Sequence, residues 1–279
     1  MSRAFVNGIT IAYDDLGGAE AGATDPPLLL VHGHPFNRTM WRPQVERFAS
    51  AGQRVIAPDL RGYGESTVVP GKTTLDVFAR DLAGLLDHLG IDAVVIGGLS
   101  MGGQIVLEFH RLFPQRVRGL LLADTFAKAD TAEGRKTRTD RADQIVRDGI
   151  APYANEVLDK MVAPRTIAAR PDVAEHVLGM MLTTSPEGAA AALRGRAERP
   201  DYTDLLPTVA VPTLVVVGSE DEFTPVSDAK FMHERVPGAT LTIVDGVGHM
   251  PNLERPAEFN DALAGLLESV GTESGRNER

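Results

Sequence analysis

Residues 98–102, with the sequence GLSMG, are the most informative segment of this chain. It follows the apolar run AVVIG and precedes the helix-like run QIVLEFH. A serine on so sharp a strand-to-helix turn is typical of a nucleophile elbow, which imposes strained backbone angles on the serine. Side chains at Gly98 and Gly102 would collide with the neighbouring strand and helix. The turn therefore predicts that the hydroxyl of Ser100 stands clear of the backbone, where the helix N-terminus favours negative charge.

Composition limits the classes of protein to which the chain can belong. Its 279 residues are enough for one large α/β domain with an insertion, and the net charge of −10 argues against nucleic acid and anionic membranes as partners. The absence of cysteine excludes disulfides, thiol nucleophiles and cysteine metal sites. No apolar run approaches the roughly 20 residues that span a bilayer, and the first residues lack a signal-peptide pattern. We therefore expect a cytoplasmic protein.

Strand-like and helix-like runs alternate in two parts of the chain but not between them. The sequence predicts a hairpin at 4–14, followed by strands at 28–32, 54–59, 93–97, 117–123, 213–218 and 239–244 with helices between them. This alternation indicates a mostly parallel sheet flanked by helices. From 126 to 206 the pattern changes to short helix-like runs separated by prolines. We therefore predict a core from 1–125 and 207–279, and a helical cap from 126–206.

A serine nucleophile needs a base, and the base needs an orienting acid. After a nucleophile elbow the chain order is serine, then aspartate or glutamate, then histidine. Asp221 follows the strand at 213–218 and His249 follows the strand at 239–244, so with Ser100 they fall at the carboxyl ends of parallel strands. Asp124 also follows a strand and is an alternative acid, although a role at the entrance to the cap suits it better. The sequence thus predicts a catalytic triad of Ser100, Asp221 and His249.

The loop after the strand at 28–32 contains two histidines, His32 and His34. We expect the backbone N–H groups of His34 and Met101 to form an oxyanion hole, with His32 bracing the loop. A His-x-His pair can bind a metal, but no neighbouring residue in the sequence completes a ligand set, so no metal site is predicted. Four other histidines are expected on solvated helix faces: His88, His110, His176 and His233.

Substrate contacts are harder to predict than the catalytic groups. Phe36 and Met250 flank the predicted oxyanion loop and base, and we expect them to contact substrate. Apolar cap residues either line the same pocket or pack between cap and sheet: Met161, Leu178, Met180, Met181 and Leu182. Three arginines near the end of the cap are expected to form salt bridges at the junction of cap and core, and contact with a substrate carboxylate is the alternative: Arg194, Arg196 and Arg199.

Together these motifs resemble the α/β-hydrolase superfamily over nearly the whole chain. The matching segments are His32–Pro35, Pro58–Ser66, Gly98–Gly103, Gly218–Pro225 and Gly248-His249. The closest similarity is to lidded serine esterases, enol-lactonases and perhydrolase-like enzymes, which often carry Ser-Met-Gly-Gly. The resemblance implies an eight-stranded core, a helical cap between strands six and seven, and no cofactor.

The same resemblance separates this chain from several related groups. Haloalkane dehalogenases and epoxide hydrolases have an aspartate where this chain has Ser100. Carbon–carbon bond hydrolases usually have asparagine at the position of Leu99, and proline iminopeptidases usually have tryptophan at that of Met101. The expected activity is hydrolysis of small-molecule carboxylic esters or lactones. Perhydrolysis, thioester or amide hydrolysis on the same triad, and a ligand receptor that retains the triad, are the alternatives; the oligomeric state stays open.

Overall fold

A computed structural model of the chain describes residues 1–18 and 25–277, the last five of these by their backbone alone. Within these ranges the chain forms one eight-stranded sheet in the order β1-β2-β4-β3-β5-β6-β7-β8. The strands are β1 (Ser2–Val6), β2 (Ile9–Leu16), β3 (Leu28–Val31), β4 (Val55–Pro58), β5 (Val94–Leu99), β6 (Val117–Ala123), β7 (Thr213–Gly218) and β8 (Thr240–Val244). The β1–β2 and β2–β4 pairs are antiparallel and the other pairs are parallel.

Helices lie between and after the strands. Those of the described residues are α1 (Arg42–Ala49), α2 (Leu75–His88), α3 (Met101–Leu112), α4 (Ala132–Asp148), α5 (Ala151–Met161), α6 (Pro164–Ala169), α7 (Pro171–Leu182), α8 (Pro186–Ala197), α9 (Val226–His233), α10 (Pro251–Glu254) and α11 (Pro256–Asn277). None of these described helices combines the length and the apolar character that crossing a membrane requires.

The central strands are apolar along their whole length because helices cover both faces of the sheet. Every residue of β3, β4, β5 and β7 is buried, which is the pattern of a parallel sheet with two covered faces. At one edge β1 and β2 form a hairpin whose turn residues, Asn7 and Gly8, both have positive φ. The prediction of an α/β fold with a mostly parallel eight-stranded sheet is confirmed.

Five helices, α4–α8, occupy the segment between β6 and β7 for which a cap is predicted; we call them the cap. Helix α8 lies directly on the core. A Cβ on Gly188 would come within 1.9 Å of the Gly62 carbonyl oxygen, and one on Gly195 within 1.7 Å of that of Thr73. Such close approach of backbones requires glycine, so the position of α8 on the core is built into the sequence.

The prediction that His110 is solvated is wrong. Helix α3 packs between the sheet and α2, and each of its first ten residues is buried, so His110 is only 5% exposed. Leu182, predicted either to line a pocket or to pack between cap and sheet, is 43% exposed at the end of α7, which supports neither alternative.

Candidate active site

The turn from β5 into α3 holds Ser100 in a strained backbone conformation. Its φ and ψ are 58° and −118°, which a residue with a side chain rarely adopts. The amide of Ser100 donates to the Ala123 carbonyl at 2.9 Å, which anchors the turn to β6. A Cβ on Gly98 would lie 2.3 Å from the Gly102 carbonyl carbon, and one on Gly102 would lie 2.1 Å from the Val31 oxygen. A side chain at either glycine would therefore collide with its neighbours, as predicted, and the absence of side chains there allows the tight turn.

Two backbone amides beside Ser100 have no hydrogen-bond partner within the described residues. They belong to His34, in the loop after β3, and to Met101, the first residue of α3. Gly33 allows the two loops to approach closely, because a Cβ at this position would lie only 2.9 Å from the Leu99 carbonyl oxygen. Buried amides are almost always paired, so a pair of free ones at one turn indicates a place for a substrate oxygen.

Both ring nitrogens of His32 are engaged by the protein backbone. The Leu60 amide donates to Nε2 at 2.9 Å, so Nδ1 carries the proton and donates to the Gly33 carbonyl at 2.8 Å. Burial lowers the pKa of His32, which keeps the ring neutral in this role. His32 therefore braces the loop as expected, and neither of its nitrogens is free to bind a metal with His34.

Asp221 and His249 meet beyond the ends of β7 and β8. Oδ2 of Asp221 accepts a hydrogen bond from Nδ1 of His249 at 2.7 Å, and both side chains are buried. The hydroxyl of Thr224 donates to the same oxygen, and the amides of Phe223 and Thr224 donate to Oδ1. Burial opposes ionisation of Asp221, but the charge and hydrogen bond of His249 and these other donors hold its pKa below the usual value. A carboxylate fixed in this way leaves Nε2 of His249 free for proton transfer.

Asp124, the alternative acid, occupies a different place. Its Oδ1 accepts a hydrogen bond from the Gly218 amide at 2.9 Å, which ties the end of β6 to the end of β7. Burial and the neighbouring charge of Asp221 raise the pKa of Asp124 well above its usual value. Asp124, Asp221 and His249 place one potential metal ligand each within 4.8 Å of one another. A metal there would displace the hydrogen bond between Asp221 and His249.

Ser100 lies at the same side of the sheet as this pair, where the parallel strands have their carboxyl ends. It follows β5, while Asp221 and His249 follow β7 and β8, and β5 to β8 are consecutive neighbours in the sheet. Within the described ranges no hydrogen bond joins the Ser100 hydroxyl to His249. Catalytic hydrogen bonds are often long without substrate and tighten in its presence.

Glu254 is a buried carboxylate that the sequence patterns did not reveal. Its Oε1 accepts from the amides of Gly248 and Met250, on either side of His249, at 2.9 and 3.4 Å. Its Oε2 accepts from the Ala163 amide at 2.9 Å and the Thr166 hydroxyl at 2.7 Å, both in the cap. One carboxylate therefore joins the loop of His249 to the cap.

Phe36 and Met250, the predicted substrate contacts, are fully buried in one apolar cluster between sheet and cap. Three of the apolar cap residues named above belong to the same cluster: Met161, Met180 and Met181. Leu178 packs against it while partly exposed. Because Phe36 and Met250 belong to the loops of His34 and His249, this cluster borders both loops, and its methionines are flexible.

The family of this protein follows from comparison with known proteins. Residues 26–256 match the family model of the α/β-hydrolase fold, and the chain belongs to that family. Among curated proteins it is similar to 3-oxoadipate enol-lactonase 2 of Acinetobacter baylyi, with 30% identity over 93% of this chain and 94% of that protein.

Solved structures give the same result. A thermophilic esterase from Thermogutta terrifontis, with malate bound, is 40% identical and superposes with a TM-score of 0.92 over 97% of this chain and 99% of that one. The enol-lactonase from Burkholderia xenovorans LB400 is 25% identical, with a TM-score of 0.87 over 96% and 100% of the two chains. These similarities place the chain in the esterase and lactonase group of the superfamily.

Proposed function

We propose that this protein is a serine hydrolase that cleaves carboxylic esters or lactones of small molecules through an acyl-enzyme. The arrangement that supports the proposal is the strained Ser100 beside two unpaired amides, at the sheet edge that also holds the bonded pair of Asp221 and His249. The similarity to an esterase and to enol-lactonases supports the same reaction class.

The reaction begins when Nε2 of His249 accepts the Ser100 hydroxyl proton as the serine oxygen attacks the substrate carbonyl carbon. Asp221 holds the ring in the tautomer with its proton on Nδ1 and stabilises the imidazolium that forms. The amides of His34 and Met101 donate to the oxyanion of the tetrahedral intermediate. His249 then gives its proton to the leaving alkoxide as the carbon–oxygen bond breaks.

Deacylation repeats these steps with water. His249 removes a proton from the water as it attacks the acyl carbon, and the proton passes to the Ser100 oxygen when the acid product leaves. In a lactone the leaving alkoxide stays attached to the acyl group, so the same chemistry yields a single hydroxy acid. From an enol lactone the product is an enol acid, which converts to the keto acid. No cofactor enters any step.

The direct test is hydrolysis of a 4-nitrophenyl ester series, from acetate to octanoate, by the wild type, Ser100→Ala and the control Ser50→Ala. Ser50 is exposed at the end of α1, far from the sheet edge that carries the site. We expect turnover by the wild type and Ser50→Ala that is lost in Ser100→Ala. Full turnover by Ser100→Ala would overturn the nucleophile assignment, and saturable binding with no turnover by the folded wild type would favour the receptor alternative.

A further inference from the structure

Arg196 on α8 is a buried cation without a carboxylate partner. Its side chain belongs to a residue only 6% exposed, and its Nε donates to Oε1 of Gln104 at 3.1 Å. Neither of its two terminal nitrogens has a hydrogen-bond partner within residues 1–18 and 25–277. Burying a guanidinium without an anion is costly, so such a group indicates a place for one.

The surroundings of Arg196 increase the surplus of positive charge. Arg138 and Arg199 share one carboxylate, that of Asp130, at 2.6 and 2.8 Å. Burial and the charges of these two arginines lower the pKa of Arg196 well below its usual value. Within the described residues, Asp130 is therefore the one carboxylate with which these three arginines form a salt bridge.

The other two arginines near the end of the cap have carboxylate partners, although Nε of Arg199 is buried without a hydrogen-bond partner. Arg194 pairs with Asp143 at 2.7 Å, and Arg199 pairs with Asp130. The expectation of salt bridges therefore holds for these two, although both pairs lie within the cap segment rather than across its junction with the core. It is wrong for Arg196, whose unpaired charge needs a different explanation.

Arg196 is connected to the turn of Ser100 through Gln104. Gln104, which holds its Nε, donates its own amide to the Ser100 carbonyl at 3.2 Å, so the guanidinium is fixed to the first turn of α3. Its charge also acts on His34, whose pKa is lowered well below the usual value, first by burial and then by Arg196. Nε2 of His34 is buried without a partner, while the Tyr63 hydroxyl lies 2.7 Å from Nδ1. His34 therefore carries a second buried polar atom without a partner, in a ring on which the charge of Arg196 acts.

The helix that carries Arg196 is held rigidly. Its glycines pack on the backbone at Gly62 and Thr73, and the Thr73 amide donates to the Ala191 carbonyl of α8 at 3.0 Å. A charged group on an element fixed in this way is positioned before a ligand arrives, which lowers the entropy cost of binding.

Building on the proposed function, we propose that Arg196 binds a carboxylate carried by the substrate. The preferred substrates are then small esters or lactones with a free carboxylate a few bonds from the reacting carbonyl. The planar guanidinium presents parallel N–H groups that match the two oxygens of a carboxylate. When the Tyr63 hydroxyl donates to Nδ1 of His34, the unpaired Nε2 of that ring carries a proton and is a further possible donor.

The test uses substrate pairs that differ only in charge. Monoethyl esters of succinate, glutarate and adipate are compared, by acid release in a pH-stat at pH 7.5, with the ethyl esters of the corresponding monoamides. The variants are Arg196→Gln, Arg196→Lys and the control Arg194→Gln, which removes a paired arginine from the same helix. Thermal unfolding verifies that each variant is folded.

We expect the wild type to prefer the carboxylate member of at least one pair by tenfold or more in kcat/KM. Arg196→Gln should reduce that preference about 10- to 100-fold, the effect of removing a charged hydrogen-bonding partner, whereas Arg194→Gln keeps it. Arg196→Lys should fall between them. Equal hydrolysis of both members by the wild type, or an equal loss on both in Arg196→Gln, would overturn the carboxylate site while leaving the esterase proposal intact.

A binding readout separates this inference from turnover. Adipate should raise the melting temperature of wild type more than its diamide does, and the difference should disappear in Arg196→Gln. No difference in the wild type would contradict the inference. If the wild type hydrolyses no ester but still distinguishes adipate from the diamide, this result would instead contradict the proposed function.

Discussion

Nδ1 of His249 lies 2.7 Å from Oδ2 of Asp221, and neither side chain reaches solvent. Donors on three further groups surround the same carboxylate, so its orientation is fixed independently of the histidine. Asp124 lies close by but bonds to the Gly218 amide instead. The two candidate acids therefore have different structural roles, and substitutions can separate them.

Replacing Asp221 with asparagine should lower kcat about 10³- to 10⁴-fold, because an amide supports the wrong tautomer of His249. Replacing Asp124 with asparagine should change kcat less than tenfold, since the amide oxygen can still accept from Gly218. Steady-state kinetics with one ester, on variants verified by circular dichroism, measures both effects. A reversed order of the two losses would make Asp124 the catalytic acid.

Asp124 should also make the stability of the protein depend on pH. Its folded-state pKa is raised, first by burial and then by Asp221, so its contribution is fully present below the unfolded pKa near 4 and is lost as pH rises through the folded value. Asparagine does not ionise, so Asp124→Asn does not lose this contribution. Its free energy of unfolding should therefore increase relative to that of the wild type as pH increases. Urea denaturation of both proteins at pH 4, 6 and 8 measures this increase. A difference that stays constant with pH would contradict the raised pKa.

Much of the fold follows from local sequence patterns. Apolar runs indicate the buried strands, and the glycines around Ser100 predict a turn that the close contacts at Gly98 and Gly102 explain. The pairing of Asp221 with His249 follows from chain order once the elbow is recognised. These features depend on short segments and on the rule that parallel strands end at one edge.

Other parts of the site depend on distant contacts that no local pattern contains. Glu254 meets Thr166 and Ala163 across 88 and 91 residues of the chain, and the sequence shows it only as one more acidic residue. The unpaired state of Arg196 depends on which carboxylates its neighbours take. His110 is buried because the sheet and α2 cover α3 from two sides. The sequence around His110 does not show this, since both contacts come from other segments.

Substitution of Glu254 should weaken both the cap and the loop of His249. Glutamine puts an amide donor where a carboxylate oxygen accepts two hydrogen bonds, so we expect a loss of about 1–3 kcal/mol in the free energy of unfolding. Because the amides of Gly248 and Met250 lose their acceptor, His249 is held less firmly, and kcat should fall as well. Thr166→Val, which removes a single donor, is the matched control and should show the smaller loss of both. Urea denaturation and steady-state kinetics measure the two effects; an unchanged kcat in folded Glu254→Gln would show that the carboxylate only stabilises the fold.

The elbow glycines should tolerate no side chain. In Gly102→Ala the new Cβ would lie 2.1 Å from the Val31 oxygen, so we expect a loss of about 3 kcal/mol or more in stability, or no folded protein. Gly179→Ala, on an exposed face of α7 with open space around it, should instead gain about 0.5–1 kcal/mol. Thermal unfolding compares the two variants. Similar melting temperatures for both would contradict the tight turn at Ser100.

If Ser100 is the nucleophile, a reagent that modifies activated serines should label it covalently. The wild type, Ser100→Ala and His249→Gln are treated with a fluorophosphonate, and intact mass and peptide mapping locate the adduct. The assignment of Ser100 as nucleophile predicts one adduct per chain on Ser100 in the wild type, none in Ser100→Ala, and much slower labelling in His249→Gln. An adduct on another residue, or labelling of Ser100→Ala at the wild-type rate, would contradict it.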